Sequence, residues 1–180
     1  MTGRRKTVAG VAANFTTVAE FYAHVYALEL EAGERYAELA DQMEIHNNRE
    51  VAALFRKLSE IETRHADQVL ARAGGKLDRL PFDAYRWMTP ESPETAPFGE
   101  AHYLMTPYHA LDLALRNEQR AEAFFRRAGA GLKDPGLRKL AAGIADEEAE
   151  HVRLIKRWLA KYKKPAANWA DDPDPPVYSE

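Results

Sequence analysis

Apolar residues recur in steps of three and four along four segments of the chain, which is the periodicity of helices that pack into a bundle. The first helix is predicted from a capping box at Thr17 to about Ile45, and the second from a capping box at Asn47 to the Gly74-Gly75 pair. The inward stripes are Val18, Tyr22, Val25, Glu29, Ala32, Tyr36, Leu39 and Met43, then Val51, Phe55, Leu58, Glu62, His65 and Val69.

The third and fourth helices are predicted to begin at Thr106-Pro107 and Asp134-Pro135, where a capping residue precedes a proline in the first turn. Pro165 is predicted to end the fourth helix. The inward stripes are Leu111, Leu115, Glu118, Ala121, Phe125, Ala128 and Leu132, then Leu137, Ala141, Ile144, Glu148, His151, Ile155, Trp158 and Tyr162.

The sequence therefore predicts one all-α domain over 17–164, a four-helix bundle with a long crossover at 76–106 between its second and third helices. The crossover is rich in prolines but also in aromatic residues, so we expect an ordered segment that packs along the bundle and not a disordered linker. Residues 1–16 are predicted to be a flexible basic N-terminus and not a signal peptide, and 165–180 an acidic, proline-rich tail.

Composition narrows the function classes. With 25 basic and 28 acidic residues the net charge is −3, which argues against a nucleic-acid binder with a basic surface. The chain has no cysteine, which excludes disulfides, thiolate zinc sites and iron–sulfur clusters and fits a cytoplasmic location. No apolar run approaches the roughly 20 residues that cross a membrane, so we expect no membrane partner.

Six ionisable residues interrupt the apolar stripes near the middle of the helices: Glu29, Glu62, His65, Glu118, Glu148 and His151. Two Glu-x-x-His pairs supply four of them, and each pair lies on one face of its helix. A buried carboxylate without a partner costs several kcal/mol, and four together repel one another. No lysine or arginine lies in the stripes to neutralise them.

A pair of divalent cations would resolve this conflict, because four carboxylates and two neutral imidazoles balance their charge. Bundles that bind two metals use one Glu from each of two helices and Glu-x-x-His from each of the other two. A carboxylate-rich set with one nitrogen per metal suits iron, or manganese, better than zinc or copper(I). Glu147 could replace Glu148, and Glu31 could replace Glu29, but the phase of the stripes favours Glu148 and Glu29.

With these residues the chain resembles the ferritin-like di-iron proteins of the rubrerythrin and bacterioferritin type over 17–164. The resemblance rests on Glu29 with Tyr36, Glu62-x-x-His65, Glu118 and Glu148-x-x-His151. It implies that Glu62 and Glu148 bridge two iron ions. Glu29 and Glu118 would be terminal carboxylates, with His65 on one metal and His151 on the other.

Four departures from the family limit what the resemblance implies. Cage ferritins usually lack the second Glu-x-x-His, which this chain has. Thr63 stands where bacterioferritin has a haem-binding methionine, so no haem is expected. Ala121 stands where rubrerythrin has a further glutamate, Glu122 points partly away, and a cysteine-rich rubredoxin domain is absent, so an electron donor would be a separate protein.

These features favour a di-iron oxidoreductase that reacts with O₂ or H₂O₂. Tyr36 is a candidate for a hydrogen bond to a carboxylate ligand or for electron transfer, with a core role as the alternative. The alternative functions are a ferroxidase in a ferritin-like storage shell and a metal-free interaction bundle. We expect a homo-oligomer, with a dimer favoured. His24, His46, His102 and His109 are expected at the surface or in local caps.

Overall fold

The computed structural model describes residues 15–77, 92–94 and 101–171, and within these ranges the chain is helical with no strand. The predicted all-α fold is confirmed. The four helices are α1 (Val18–Ile45), α2 (Arg49–Arg72), α3 (Pro107–Gly131) and α4 (Pro135–Leu159). No helix in the described part of the chain is both long and apolar enough to cross a membrane.

Local capping explains where the helices begin. Thr17 and Asp134 accept hydrogen bonds from the backbone N–H groups of Glu20 and Leu137, as predicted, and Thr106 precedes Pro107 at the start of α3. The predicted cap of α2 is wrong by one residue: Asn47 has a left-handed φ of 55°, and Asn48 caps the helix. Asparagine tolerates this conformation in a turn, so the chain can reverse before α2 begins.

The first residue of the stripe predicted for α1 and the last residue of the stripe predicted for α4 do not belong to the core. Val18 is 48% exposed and Tyr162 is 39% exposed, so neither belongs to the core. Val18 is the first residue of α1. Helix α4 ends at Leu159, because the following N–H groups of Lys161 and Tyr162 bond three residues back and tighten the last turn.

The bundle core consists of two hydrophobic clusters. One cluster joins the first halves of α1 and α4 to the second halves of α2 and α3. The other joins the second halves of α1 and α4 to the first halves of α2 and α3. Each cluster contains the same half of α2 and of α3, so these two helices run parallel. Helix α1 packs mainly on α2, and α3 packs mainly on α4. The segment between α2 and α3 must therefore span the bundle from one end to the other.

Contacts outside the helices attach both flanking segments to the bundle. Phe15 is buried against Phe21, so the packed domain begins before Thr17. Trp169 packs against the ring of His109 with a centroid distance of 3.7 Å, so the chain just after α4 lies against the start of α3. The predictions for 1–14, 78–91, 95–100 and 172–180 lie outside the described residues.

Candidate metal centre

The six ionisable residues of the stripes lie in one polar layer between the two hydrophobic clusters. Each lies near the middle of its helix. The middles of helices packed side by side meet whether the helices run parallel or antiparallel, so all six residues lie at the same level of the bundle. Glu62, Glu118 and Glu148 are each 1% exposed, and Glu29 is 4% exposed. The two histidine side chains are 21% exposed and form the more open side of the layer.

The layer contains two similar triads, one in each helical hairpin. In the first, Nδ1 of His65 lies 3.0 Å from Oε2 of Glu62 and 3.6 Å from Oε2 of Glu29. In the second, Nδ1 of His151 lies 3.1 Å from Oε2 of Glu148 and 3.2 Å from Oε2 of Glu118. Ligand atoms in each triad lie within 4.8 Å of one another, which is close enough to hold one metal ion.

Burial and mutual repulsion shift the pKa values of these groups. Burial, with Coulomb repulsion from Glu148 and Glu62, raises the pKa of Glu29 to about 8 despite the contact with His65. Burial likewise raises the pKa of Glu118. Burial alone would lower the pKa of the histidines, but their carboxylate neighbours outweigh it and raise the pKa of His65 to about 9 and of His151 to about 11.

Buried oxygens without partners test whether a metal fits here. Among the described residues, Oε2 of Glu29 and Oε2 of Glu118 are buried and accept no hydrogen bond. Such atoms cost free energy unless something binds them. A cation in each triad would satisfy these oxygens and the adjoining imidazole Nδ1 together. The donor set therefore fits a di-metal site with oxygen ligands and one nitrogen for each ion.

The acidic residues weighed as alternatives lie outside both triads. Glu147 faces solvent and pairs with Arg72 at 2.8 Å. Glu31 is half-buried and belongs to neither group of candidate ligands among the described residues. Glu122 pairs with Arg126 at 2.8 Å on the outer surface of α3. The geometry therefore agrees with the phase argument that favoured Glu148 and Glu29.

Tyr36 is buried beside the layer, but the hydrogen bond expected to a carboxylate is not formed within the described residues. Its hydroxyl instead accepts a hydrogen bond from Nδ2 of Asn117 at 3.0 Å. Burial, with repulsion from Glu118, Glu62 and Glu94, raises its pKa well above the usual value. The ring stacks on Phe55, with centroids 6.0 Å apart, so Tyr36 also belongs to the core.

The remaining described histidines are remote from the layer. Nδ1 of His109 accepts from the backbone N–H of Thr106 and caps α3, as expected for a local cap. His24 differs from the expectation, because it is fully buried against Phe15. Its Nδ1 lies 2.8 Å from the carbonyl oxygen of Glu20, which satisfies it within its own helix.

Glu94 is a candidate ligand that sequence reasoning missed. It comes from the crossover, is fully buried, and lies with Glu62 and Glu118 in a third group of candidate ligand atoms within 4.8 Å of one another. The helical period cannot reveal a residue outside the helices. The only signal in the sequence was a carboxylate in a stretch with many aromatic residues.

Comparison with known proteins agrees with the geometry. The family model described as Rubrerythrin matches residues 20–80. The chain is also similar to an uncharacterized conserved protein from Magnetospirillum magnetotacticum MS-1 whose crystal structure is known. The two sequences are 44% identical and the structures superpose with a TM-score of 0.61. The match covers 84% of this chain and 99% of that chain. No functionally curated protein matches the sequence.

The fold and the polar layer define a ferritin-like bundle with clusters that suit a di-metal site. The chain belongs to the rubrerythrin family of ferritin-like proteins.

Proposed function

We propose that this protein is a di-iron redox protein whose oxidant is O₂ or H₂O₂. The observation that carries the proposal is the buried layer of carboxylates and imidazoles, with unpartnered oxygens on Glu29 and Glu118. Iron is favoured because carboxylate-rich sites with one nitrogen per ion suit Fe(II), with manganese as the alternative metal.

The residues of the layer have distinct tasks in this proposal. Glu29, Glu62 and His65 would hold one ion, and Glu118, Glu148 and His151 the other, in agreement with the two triads. When bound, two Fe(II) ions supply one electron each, enough to reduce H₂O₂ to water with two protons. The hydrophobic clusters on either side exclude bulk water, and the 21% exposure of the histidines leaves that side open to a small oxidant.

The electron donor that would return the irons to Fe(II) is proposed to be a separate protein. The chain contains no cysteine and so cannot build a rubredoxin-type iron centre of its own. The proposal leaves the physiological outcome open between peroxide removal and oxidation of a further substrate.

Anaerobic loading with Fe(II) tests the proposal. We expect two iron ions per chain in elemental analysis and an optical change on addition of O₂ or H₂O₂. Glu62→Ala and His151→Ala should abolish this change, because each removes a ligand from one triad, whereas Glu147→Ala should retain it. A wild-type chain that binds less than one iron ion, or either triad variant reacting like the wild type, would refute the proposal.

A further inference from the structure

Glu94 is the least compensated ionisable group in the described part of the protein. Both of its carboxylate oxygens are buried without a hydrogen-bond partner, and no ion pair to a described residue neutralises it. Its side chain belongs to the group of ligand atoms that includes Glu62 and Glu118, all within 4.8 Å. The structure therefore aims a further carboxylate into the polar layer from outside the four helices.

The backbone beside Glu94 is anchored by α3. Nε of Arg120 donates to the carbonyl oxygen of Pro93 at 2.8 Å, and Nη2 of Arg120 donates to Oδ1 of Asn117. Asn117 in turn donates to the hydroxyl of Tyr36. Arg120 thus acts as a positioning residue, because it donates hydrogen bonds to a backbone oxygen and an amide oxygen beside Glu94, and the Glu94 side chain points at the layer.

We infer that Glu94 is an additional carboxylate ligand of the metal centre, supplied by the crossover between the two triads. This inference rests on the proposed function. The group that contains Glu94 takes Glu62 from the first triad and Glu118 from the second, so Glu94 reaches the layer between the two metal positions. A directly bound cation satisfies both the buried charge and the unpartnered oxygens, which nothing else among the described residues does.

Two properties follow from an additional carboxylate between the triads. It adds a ligand atom and a negative charge beside both metal positions, so the centre binds its metal ions more tightly than the two triads alone would. Five carboxylates also exceed the charge of two divalent ions, so the site favours the trivalent state of the metal. Glu94 therefore lowers the reduction potential of the iron centre by ordinary electrostatics.

Calorimetric titration of the metal-free protein with Co²⁺ tests the first property, and a redox titration of the iron-loaded protein tests the second. Glu94→Gln keeps the shape and removes the charge, and Glu94→Asp keeps the charge. Ser92→Ala is the matched control, since Ser92 is also buried and unpartnered two residues away. Circular-dichroism melting of each variant verifies folding.

We expect Glu94→Gln to weaken at least one of the two binding steps about tenfold or more, the scale of a lost metal-site interaction. Ser92→Ala should change neither step. Glu94→Gln should also shift the potential to more positive values, and Glu94→Asp should restore part of both effects.

Several results would overturn the assignment of Glu94. These are unchanged or tighter binding of both ions in Glu94→Gln, an unmoved potential, or a Ser92→Ala variant that behaves like Glu94→Gln. Failure of the proposed function would look different, because the wild-type chain would then not bind two ions. Two bound ions that are insensitive to Glu94→Gln would refute only the role of Glu94.

Discussion

The imidazole rings of His65 and His151 lie face to face at the centre of the bundle, with centroids 4.3 Å apart and planes 5° from parallel. Each ring comes from a different helical hairpin and points its Nδ1 at the glutamate three residues before it. The two hairpins therefore present their donors in the same way on either side of the stacked rings. The two Glu-x-x-His pairs of the sequence thus become part of a nearly symmetric pair of triads.

The first prediction is that the metal-free protein loses stability as the pH rises. The folded-state pKa values of His65 and His151 are raised to about 9 and 11, so their stabilising contribution is complete below the unfolded value of 6.5 and disappears as the pH rises through these values. Glu29, raised to about 8 from 4.5, acts in the same direction over a lower range. We expect the free energy of unfolding to fall by several kcal/mol between pH 6 and pH 9, because each unit of pKa shift corresponds to about 1.4 kcal/mol.

Urea denaturation of the metal-free protein at several pH values measures this loss. Metal-loaded protein is the control, because metal binding needs neutral imidazoles and releases their protons. Its affinity for metal should increase with pH, so the stability gap between loaded and metal-free protein should widen. A metal-free protein equally stable at pH 6 and pH 9 would contradict the shifted pKa values.

A second prediction separates the adjacent glutamates of α4. Glu148→Gln should cost one of the two bound metal ions, because Glu148 is buried in its triad with His151. Glu147→Gln should keep both ions, since Glu147 faces solvent and pairs only with Arg72 in the described structure. Elemental analysis after dialysis measures the stoichiometry. Loss of metal in Glu147→Gln alone would reverse the assignment.

A third prediction concerns the hydroxyl of Tyr36. Tyr36→Phe leaves the buried Nδ2 of Asn117 without its acceptor, which should destabilise the protein by about 1–3 kcal/mol. The metal stoichiometry should remain at two ions, because Tyr36 bonds to Asn117 and not to a carboxylate. Tyr22→Phe, in a half-buried ring of the other cluster, should change stability by less than about 0.5 kcal/mol. Loss of metal in Tyr36→Phe would show that the hydroxyl supports the ligands directly.

A fourth prediction distinguishes the redox protein from a storage protein. With a chain of 20.3 kDa, we expect a dimer of roughly 41 kDa in size-exclusion chromatography with light scattering. A storage shell would instead elute at several hundred kDa. A shell-sized assembly that retains more than two iron ions per chain would favour the ferroxidase alternative.

The sequence by itself determined the helices and the six members of the two triads. Helix formation and capping depend on residues three or four positions apart, so Thr17, Asp134 and the Gly74-Gly75 pair could be interpreted without a structure. The same period places Glu62 with His65 and Glu148 with His151 on single faces. Burial of charged residues on those faces was sufficient to predict a di-metal site.

Only the tertiary structure decided which distant parts of the chain come into contact. The arrival of Glu94 from the crossover, the bond between Asn117 and Tyr36, and the packing of Trp169 on His109 join residues far apart in sequence. The shift of the α2 cap to Asn48 has the same origin, since its Nδ2 bonds to the carbonyl oxygens of Tyr103 and Met105. Such contacts depend on how the helices pack and on the path of the connecting segment, and no local periodicity encodes either.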